Sequence, residues 1–118
     1  MSIGKKVTQA VILTGGEGRR LRPITETIPK SMIPIKGKPF LRYQLDLIKT
    51  FGINEVLILV GYLGEEIIKY FKDGKKFGLQ IDYSFEKQLL GTAGALKNAE
   101  KKLNNYFLLL NGDHSCPN

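Results

Sequence analysis

Ala10-Val11-Ile12-Leu13-Thr14-Gly15-Gly16-Glu17-Gly18-Arg19-Arg20-Leu21-Arg22, with Pro29-Lys30 a short way on, is the stretch that decides how this chain is read. Four consecutive apolar residues carry the backbone into three glycines within four positions, and three arginines follow. Without Cβ atoms, glycines let backbone N–H groups approach an anion closely. Arginine guanidinium groups are planar forks that match phosphate oxygens. Together they predict a polyphosphate cradle at the end of a β-strand.

The charge distribution agrees. Between Gly15 and Arg42 the basic residues Arg19, Arg20, Arg22, Lys30, Lys36, Lys38 and Arg42 face only Glu17 and Glu26, a local charge of +5 in a chain of net charge +7. A loop system that holds most of the excess charge attracts an anionic ligand.

At 118 residues the chain is expected to form a single domain, residues 1–118. No apolar run approaches the length of a membrane span. Val7 to Leu13 is too short for a secretory core and ends in Gly-Gly, so it reads as a strand. The lone cysteine, Cys116, excludes an intrachain disulfide framework. The expected setting is cytoplasmic, with no membrane partner. No internal repeat or low-complexity segment is visible.

Working outward, strands and helices alternate. Val7–Leu13 is a buried strand. Phe40 to Phe51 has helical apolar spacing and stops at Gly52. Glu55–Val60 is nearly all apolar, as in parallel strands covered on both faces. Leu63, Ile67, Ile68 and Phe71 mark a second helix ended by Asp73-Gly74. Leu79–Phe85 alternates like a half-buried strand. Ala93–Leu103 is a third helix with Thr92 placed to cap it. Tyr106–Leu110 is a fourth strand running into Asn111-Gly112-Asp113. The expected fold is α/β and Rossmann-like: a doubly wound, mostly parallel sheet of about four strands with helices on both faces. Ligands in such sheets sit at the carboxyl ends of strands, where both the glycine loop and Asp113 fall.

The loop is neither of two common phosphate motifs. Gly16-Glu17-Gly18-Arg19-Arg20-Leu21 lacks the last glycine of a dinucleotide fingerprint, and there is no Gly-Lys-Ser/Thr of a P-loop. Gly-Gly-x-Gly-x-Arg with a downstream Pro-Lys, followed in order by Leu90-Gly91-Thr92-Ala93-Gly94-Ala95-Leu96 and Asn111-Gly112-Asp113, resembles the sugar-nucleotide pyrophosphorylase family. Its nearest branch is the mannose- or heptose-1-phosphate guanylyltransferases. Three positions depart from the family pattern: Arg19 stands for Thr, Leu89 for Pro, and Ser31 for the second Pro of Pro-Lys-Pro.

The resemblance implies a nucleotidyltransferase that moves a nucleoside monophosphate from a nucleoside triphosphate to a sugar 1-phosphate and releases pyrophosphate. It implies Arg20 and Lys30 as the catalytic residues. Leu13, Gly15, Gly16, Gly18, Glu86, Gly91 and Thr92 bind nucleotide, and Asp113 holds Mg²⁺. A carboxylate at Glu86 favours GTP, with dTTP or UTP the other candidates.

Each assignment has a plainer reading. The glycines also suit a tight strand–helix turn. Arg19, Arg22 and Glu86 also suit a solvated surface. Asp113 also suits a polar strand end, and Gly91–Gly94 an ordinary helix start. His114 and Cys116, two residues near a terminus, make a poor metal pair.

Family members run on past the Asn-Gly-Asp strand, whereas this sequence ends at Asn118. The chain is therefore expected to be an N-terminal nucleotide-binding part without the acceptor-sugar region. A nucleotide-binding module without turnover is the alternative. A basic nucleic-acid-binding protein is the third class, but no recognition helix or aromatic-basic interleaving supports it. A sheet cut short after Leu110 would leave an open edge, so a homo-oligomer is expected.

Overall fold

A computed structural model describes residues 7–14, 32–61, 64–85 and 91–112, the side chains of 91–93 excepted. β1 is Gln9–Leu13, β2 Pro34–Ile35, β3 Lys38–Pro39, α1 Phe40–Thr50, β4 Glu55–Val60, α2 Gly64–Phe71, β5 Gln80–Phe85, α3 Gly91–Asn98 and β6 Phe107–Asn111. The main sheet has the order β5-β4-β1-β6, and every pairing in it is parallel. No described helix is long and apolar enough to cross a membrane.

The apolar sequence of β1 follows from its place at the centre. Ala10, Val11 and Ile12 are wholly buried because β4 and β6 flank the strand and helices cover both faces. On one face Ala10, Ile12, Val56 and Ile58 pack with Leu41, Leu45 and Ile48 of α1 and with Ile67 and Phe71 of α2. On the other, Val11, Leu57 and Leu59 pack with Ala95 of α3 and with Ala99. The chain moves outward from β1 to β4 to β5, then returns across the sheet to β6. With crossovers of one hand, that reversal puts α1 and α2 on one face and α3 on the other. The doubly wound expectation is borne out.

Several boundaries and one element differ from the sequence reading. α3 starts at Gly91 and ends at Asn98, and a short 3₁₀ turn, Glu100–Lys102, takes up the remainder of the expected helix. Thr92 is the second residue of α3, not a cap before it. β6 ends one residue later than expected, at Asn111. Leu63 lies outside the described residues.

The antiparallel β2–β3 hairpin was not foreseen. Its loop, Lys36-Gly37, has positive φ at both residues (54° and 81°), the geometry that matches strand twist in a two-residue hairpin. Each strand is only two residues long, too short to show any alternation. Tyr43 Oη donates to Ile35 O at 2.7 Å and Phe40 N to Ile33 O at 3.2 Å, so the hairpin is tied to the first turns of α1.

β5 is held to the end of α2 by Tyr83, whose Oη donates to Lys72 O at 2.6 Å. Burial first, then the nearby Asp73 and Asp82 carboxylates, push the Tyr83 hydroxyl up to about 12. The folded state thus favours the neutral phenol, which alone can donate. This contribution is complete below the ordinary tyrosine value of about 10 and is lost as pH rises from there toward 12. Urea unfolding of the chain and of Tyr83→Phe between pH 8 and 12 checks this. The parent should lose stability more steeply above pH 10 than the variant, and equal slopes would refute the linkage.

Candidate functional site at the carboxyl edge

The order β5-β4-β1-β6 reverses direction between β1 and β6. Open α/β sheets bind ligands at such a reversal, beyond the carboxyl ends of the strands. Here Leu13 pairs in register with Asn111, and Gly112 N donates to Leu13 O at 2.8 Å. The chain therefore leaves the sheet from Thr14 and from Gly112 side by side. The sequence following the first is the glycine-arginine loop, and the residue following the second is Asp113.

Thr14 anchors one exit. Its N–H and its hydroxyl both donate to Leu59 O, at 2.9 and 2.8 Å, and the residue is 5% exposed. Its hydroxyl proton is thus spent on β4, and the end of β1 is held rigidly against its neighbour.

Gly112 allows the other exit. A Cβ there would stand 2.5 Å from Ile12 Cγ2, 2.8 Å from Thr14 Cγ2 and 3.1 Å from Leu13 O. The first two belong to β-branched side chains with little rotamer freedom, and the third is backbone. Only glycine lets β6 finish this close to β1.

Gln44 of α1 ties the helix to the same edge, since its Nε2 donates to Asn111 O at 2.8 Å. Its Oε1 is buried and has no hydrogen-bond partner among the described residues.

α3 approaches from the opposite face. Its last residue, Asn98, donates from Nδ2 to the carbonyl of Phe85, the final residue of β5, at 3.0 Å. Further down the chain Lys102 Nζ reaches Tyr83 O at 2.7 Å, and the Lys102 carbonyl accepts from Gln9 Nε2 at the start of β1. The chain thus descends from the carboxyl edge. The first turn of α3, which contains Gly91 and Thr92, lies on the carboxyl-edge side, and the first N–H groups of a helix have no partner within it.

Of the expected site residues, Leu13, Gly91 and Thr92 are therefore brought to this edge. Gly15, Gly16, Gly18, Arg20, Lys30, Glu86 and Asp113 lie outside the described residues, as do His114 and Cys116. Among the described residues no group of three or more His, Cys, Asp or Glu could hold a metal ion.

The basic window needs one correction. Lys38 and Arg42 are not spare charge for a ligand. Asp46 accepts from Lys38 Nζ at 2.7 Å and from Arg42 Nε at 3.2 Å, and the Arg42 guanidinium also lies 4.5 Å over the Phe77 ring. Burial opposes ionisation of Asp46, but the two hydrogen bonds and the attraction of both cations outweigh it and hold the carboxyl below its usual range. The partner, Asp46, falls just outside the window in sequence. One helical turn brings it to Arg42.

Residues 9–118 match the family described as Nucleotidyl transferase. The chain belongs to that family. It is 49% identical over 105 residues to the D-glycero-alpha-D-manno-heptose 1-phosphate guanylyltransferase of Campylobacter jejuni, covering 89% of this chain and 47% of that protein. It is 43% identical over 117 residues to a UTP–glucose-1-phosphate uridylyltransferase of Synechocystis, covering 89% of this chain and 30% of that protein. Among solved structures, HddC of Yersinia pseudotuberculosis, complexed with GMP-PN, matches with a TM-score of 0.77 at 34% identity, over 90% of this chain and 48% of that one. The chain thus spans less than half the length of these relatives.

Sequence reasoning missed Thr14 and Gln44 as builders of the edge, and gave Gly112 no role of its own. A hydroxyl residue closing an apolar strand was the available signal for Thr14. Nothing in the sequence pairs Gln44 with Asn111. Gly112→Ala should destabilise the fold by about 1–3 kcal/mol, as overpacked sites do. A urea midpoint unchanged from the parent would show that β1 and β6 separate easily at this end.

Proposed function

We propose that the chain is the nucleotide-binding part of a sugar-1-phosphate nucleotidyltransferase. The observation that carries this reading is the pair of adjacent exits, Thr14 and Gly112, at the sheet's reversal point. An oxygen of the sugar phosphate attacks the α-phosphorus in line, a new P–O bond forms, the bond to the β-phosphate oxygen breaks, and pyrophosphate leaves. Such chemistry depends on positioning and charge neutralisation, with no protein nucleophile needed.

In this proposal the amides of Gly15, Gly16 and Gly18 approach the nucleotide beside Leu13. Arg20 stabilises the leaving pyrophosphate and Lys30 grips the reacting phosphates. Glu86 accepts N–H bonds from a guanine edge, and the amides of Gly91 and Thr92 complete the cradle. Asp113 supplies a hard carboxylate suited to Mg²⁺, which neutralises phosphate charge when bound. GTP is the favoured donor, which the heptose guanylyltransferase relative and the GMP-PN complex of HddC support. The reaction belongs in the cytoplasm, where nucleoside triphosphates are made.

Calorimetric titration with GTP, dTTP and UTP in the presence of Mg²⁺ tests the reading. Saturable binding, tightest for GTP, is expected. Arg20→Ala should weaken it about tenfold or more, the worth of a charge-assisted phosphate contact. Arg42→Ala should change binding at this edge little, since Asp46 already holds that guanidinium. No saturable binding at millimolar nucleotide would overturn the proposal.

We further propose that copies of the chain associate through β6. Among the described residues β6 pairs only with β1, and Leu109 is 39% exposed on it. An unpaired edge with apolar side chains favours a second strand, and a symmetric dimer is its simplest closure. Sedimentation at micromolar concentration should show a mass above the monomer's 13.2 kDa. A Leu109→Lys variant should shift it toward the monomer, and a monomeric parent would refute the association.

A further inference from the structure

Away from the carboxyl edge, a groove of about 610 Å³ opens where the end of α2 and the turn after it meet α1. Its size lies in the range of small-ligand sites. Lys69, Lys72, Lys75, Lys76 and Arg42 line it, against Asp73 as the lone lining carboxylate among the described residues. Asp73 is itself engaged, since its Oδ1 accepts from Lys75 N at 3.1 Å. Lys72, Lys75 and Lys76 are exposed and make no ion pair with any described residue.

The groove also has an aromatic wall. Tyr70 is 43% exposed, and its ring lies parallel to Phe77, 9° off and 6.1 Å away. Arg42, pinned by Asp46, covers Phe77 and fixes the wall in place.

Lys69 and Lys72 near the end of α2 also complement the helix dipole. That does not account for Lys75 and Lys76. Nor does it account for a lysine at position 72, where φ is +50° and glycine would avoid the strain.

We propose that this groove is a second anion site that takes a nucleoside polyphosphate, with its phosphates on Lys72, Lys75 and Lys76 and its base against the exposed part of the Tyr70 ring. Lysine ammonium groups act as point charges for phosphate, and aromatic rings stack bases of any identity. The site is distinct from the carboxyl edge. α2 begins at Gly64, whose N–H bonds to Gly61 O just past β4, and the groove lies at its other end, about 10 Å along the helix. A ligand there leaves the carboxyl edge unoccupied.

The test is an ¹H–¹⁵N NMR titration of the full chain with GTP, inorganic triphosphate, guanosine and a short single-stranded oligonucleotide. GTP should shift the amides of residues 70–78 saturably, and these shifts should survive Arg20→Ala. Lys75→Glu/Lys76→Glu, both at exposed positions, should abolish them while leaving shifts at residues 9–14 intact. Tyr70→Ala should weaken GTP about tenfold, the scale of one lost base stack, and leave triphosphate unchanged. The proposal fails if residues 70–78 do not respond, or respond only when Arg20 is present. It fails equally if triphosphate binds as well as GTP, or if the oligonucleotide binds there far more tightly than GTP.

Discussion

The fold depends on the double ladder around β1. This five-residue strand bonds to β4 on one side and to β6 on the other, with Leu13 in register with both Leu59 and Asn111. Its ends are fastened by side chains as well. At the start, Gln9 is 2% exposed; its Nε2 donates to Lys102 O at 2.9 Å and its Oε1 accepts from Asn104 N at 2.8 Å. At the finish, Thr14 binds Leu59 O twice. Both anchors span long stretches of chain, 93 to 95 residues for Gln9. Their closure is favourable only after the intervening helices have covered the sheet, because loop entropy must be overcome first. Unpaired, the buried amide of Gln9 would carry a desolvation penalty, so the same groups that specify the register penalise any other.

That constraint also sets where chemistry can occur. Holding β1 and β6 in register delivers the chain to Thr14 and Gly112 together, and close approach at Gly112 removes any space a side chain would need. Two segments far apart in sequence, one rich in glycine and arginine and one carrying an aspartate, are thereby launched from adjacent points. α3 adds a helix start to the same edge from the opposite face. In the proposed site the sheet supplies a rigid scaffold from which the loop sequences start, and loops on rigid scaffolds commonly carry function.

Among the described residues, cations that a sequence count treats alike meet different partners. Lys38 and Arg42 share Asp46 and lie over Tyr43 and Phe77, where they brace the hairpin and the helix. Lys49 and Lys102 donate to backbone carbonyls of Phe77 and Tyr83. The lysines of the turn after α2 remain open to solvent. A net charge counted along the sequence cannot make this division, since it depends on which carboxylate or carbonyl each cation meets.

The alternation of apolar strands and amphipathic helices was legible in the sequence. It rests on periodicities of two and 3.6 and on local backbone demands, which neighbouring residues impose on one another. Leu41, Leu45 and Ile48 form a buried stripe at helical spacing, and Val56 to Val60 are buried throughout, as their unbroken apolar run implied. The Lys36-Gly37 hairpin was not legible because its strands are shorter than one alternation. The end of α3 at Asn98 was not, because helix-compatible residues continue past it, and the turn there is set by packing of Ala99 against Val11, Leu57 and Leu59. Only the tertiary structure decided the order β5-β4-β1-β6, the use of Gly112 as a point of close approach and the pairing of Gln44 with Asn111. Strand order and close approach join residues separated by most of the chain, and such contacts are chosen by the packing of the whole sheet and not by any segment's own preference.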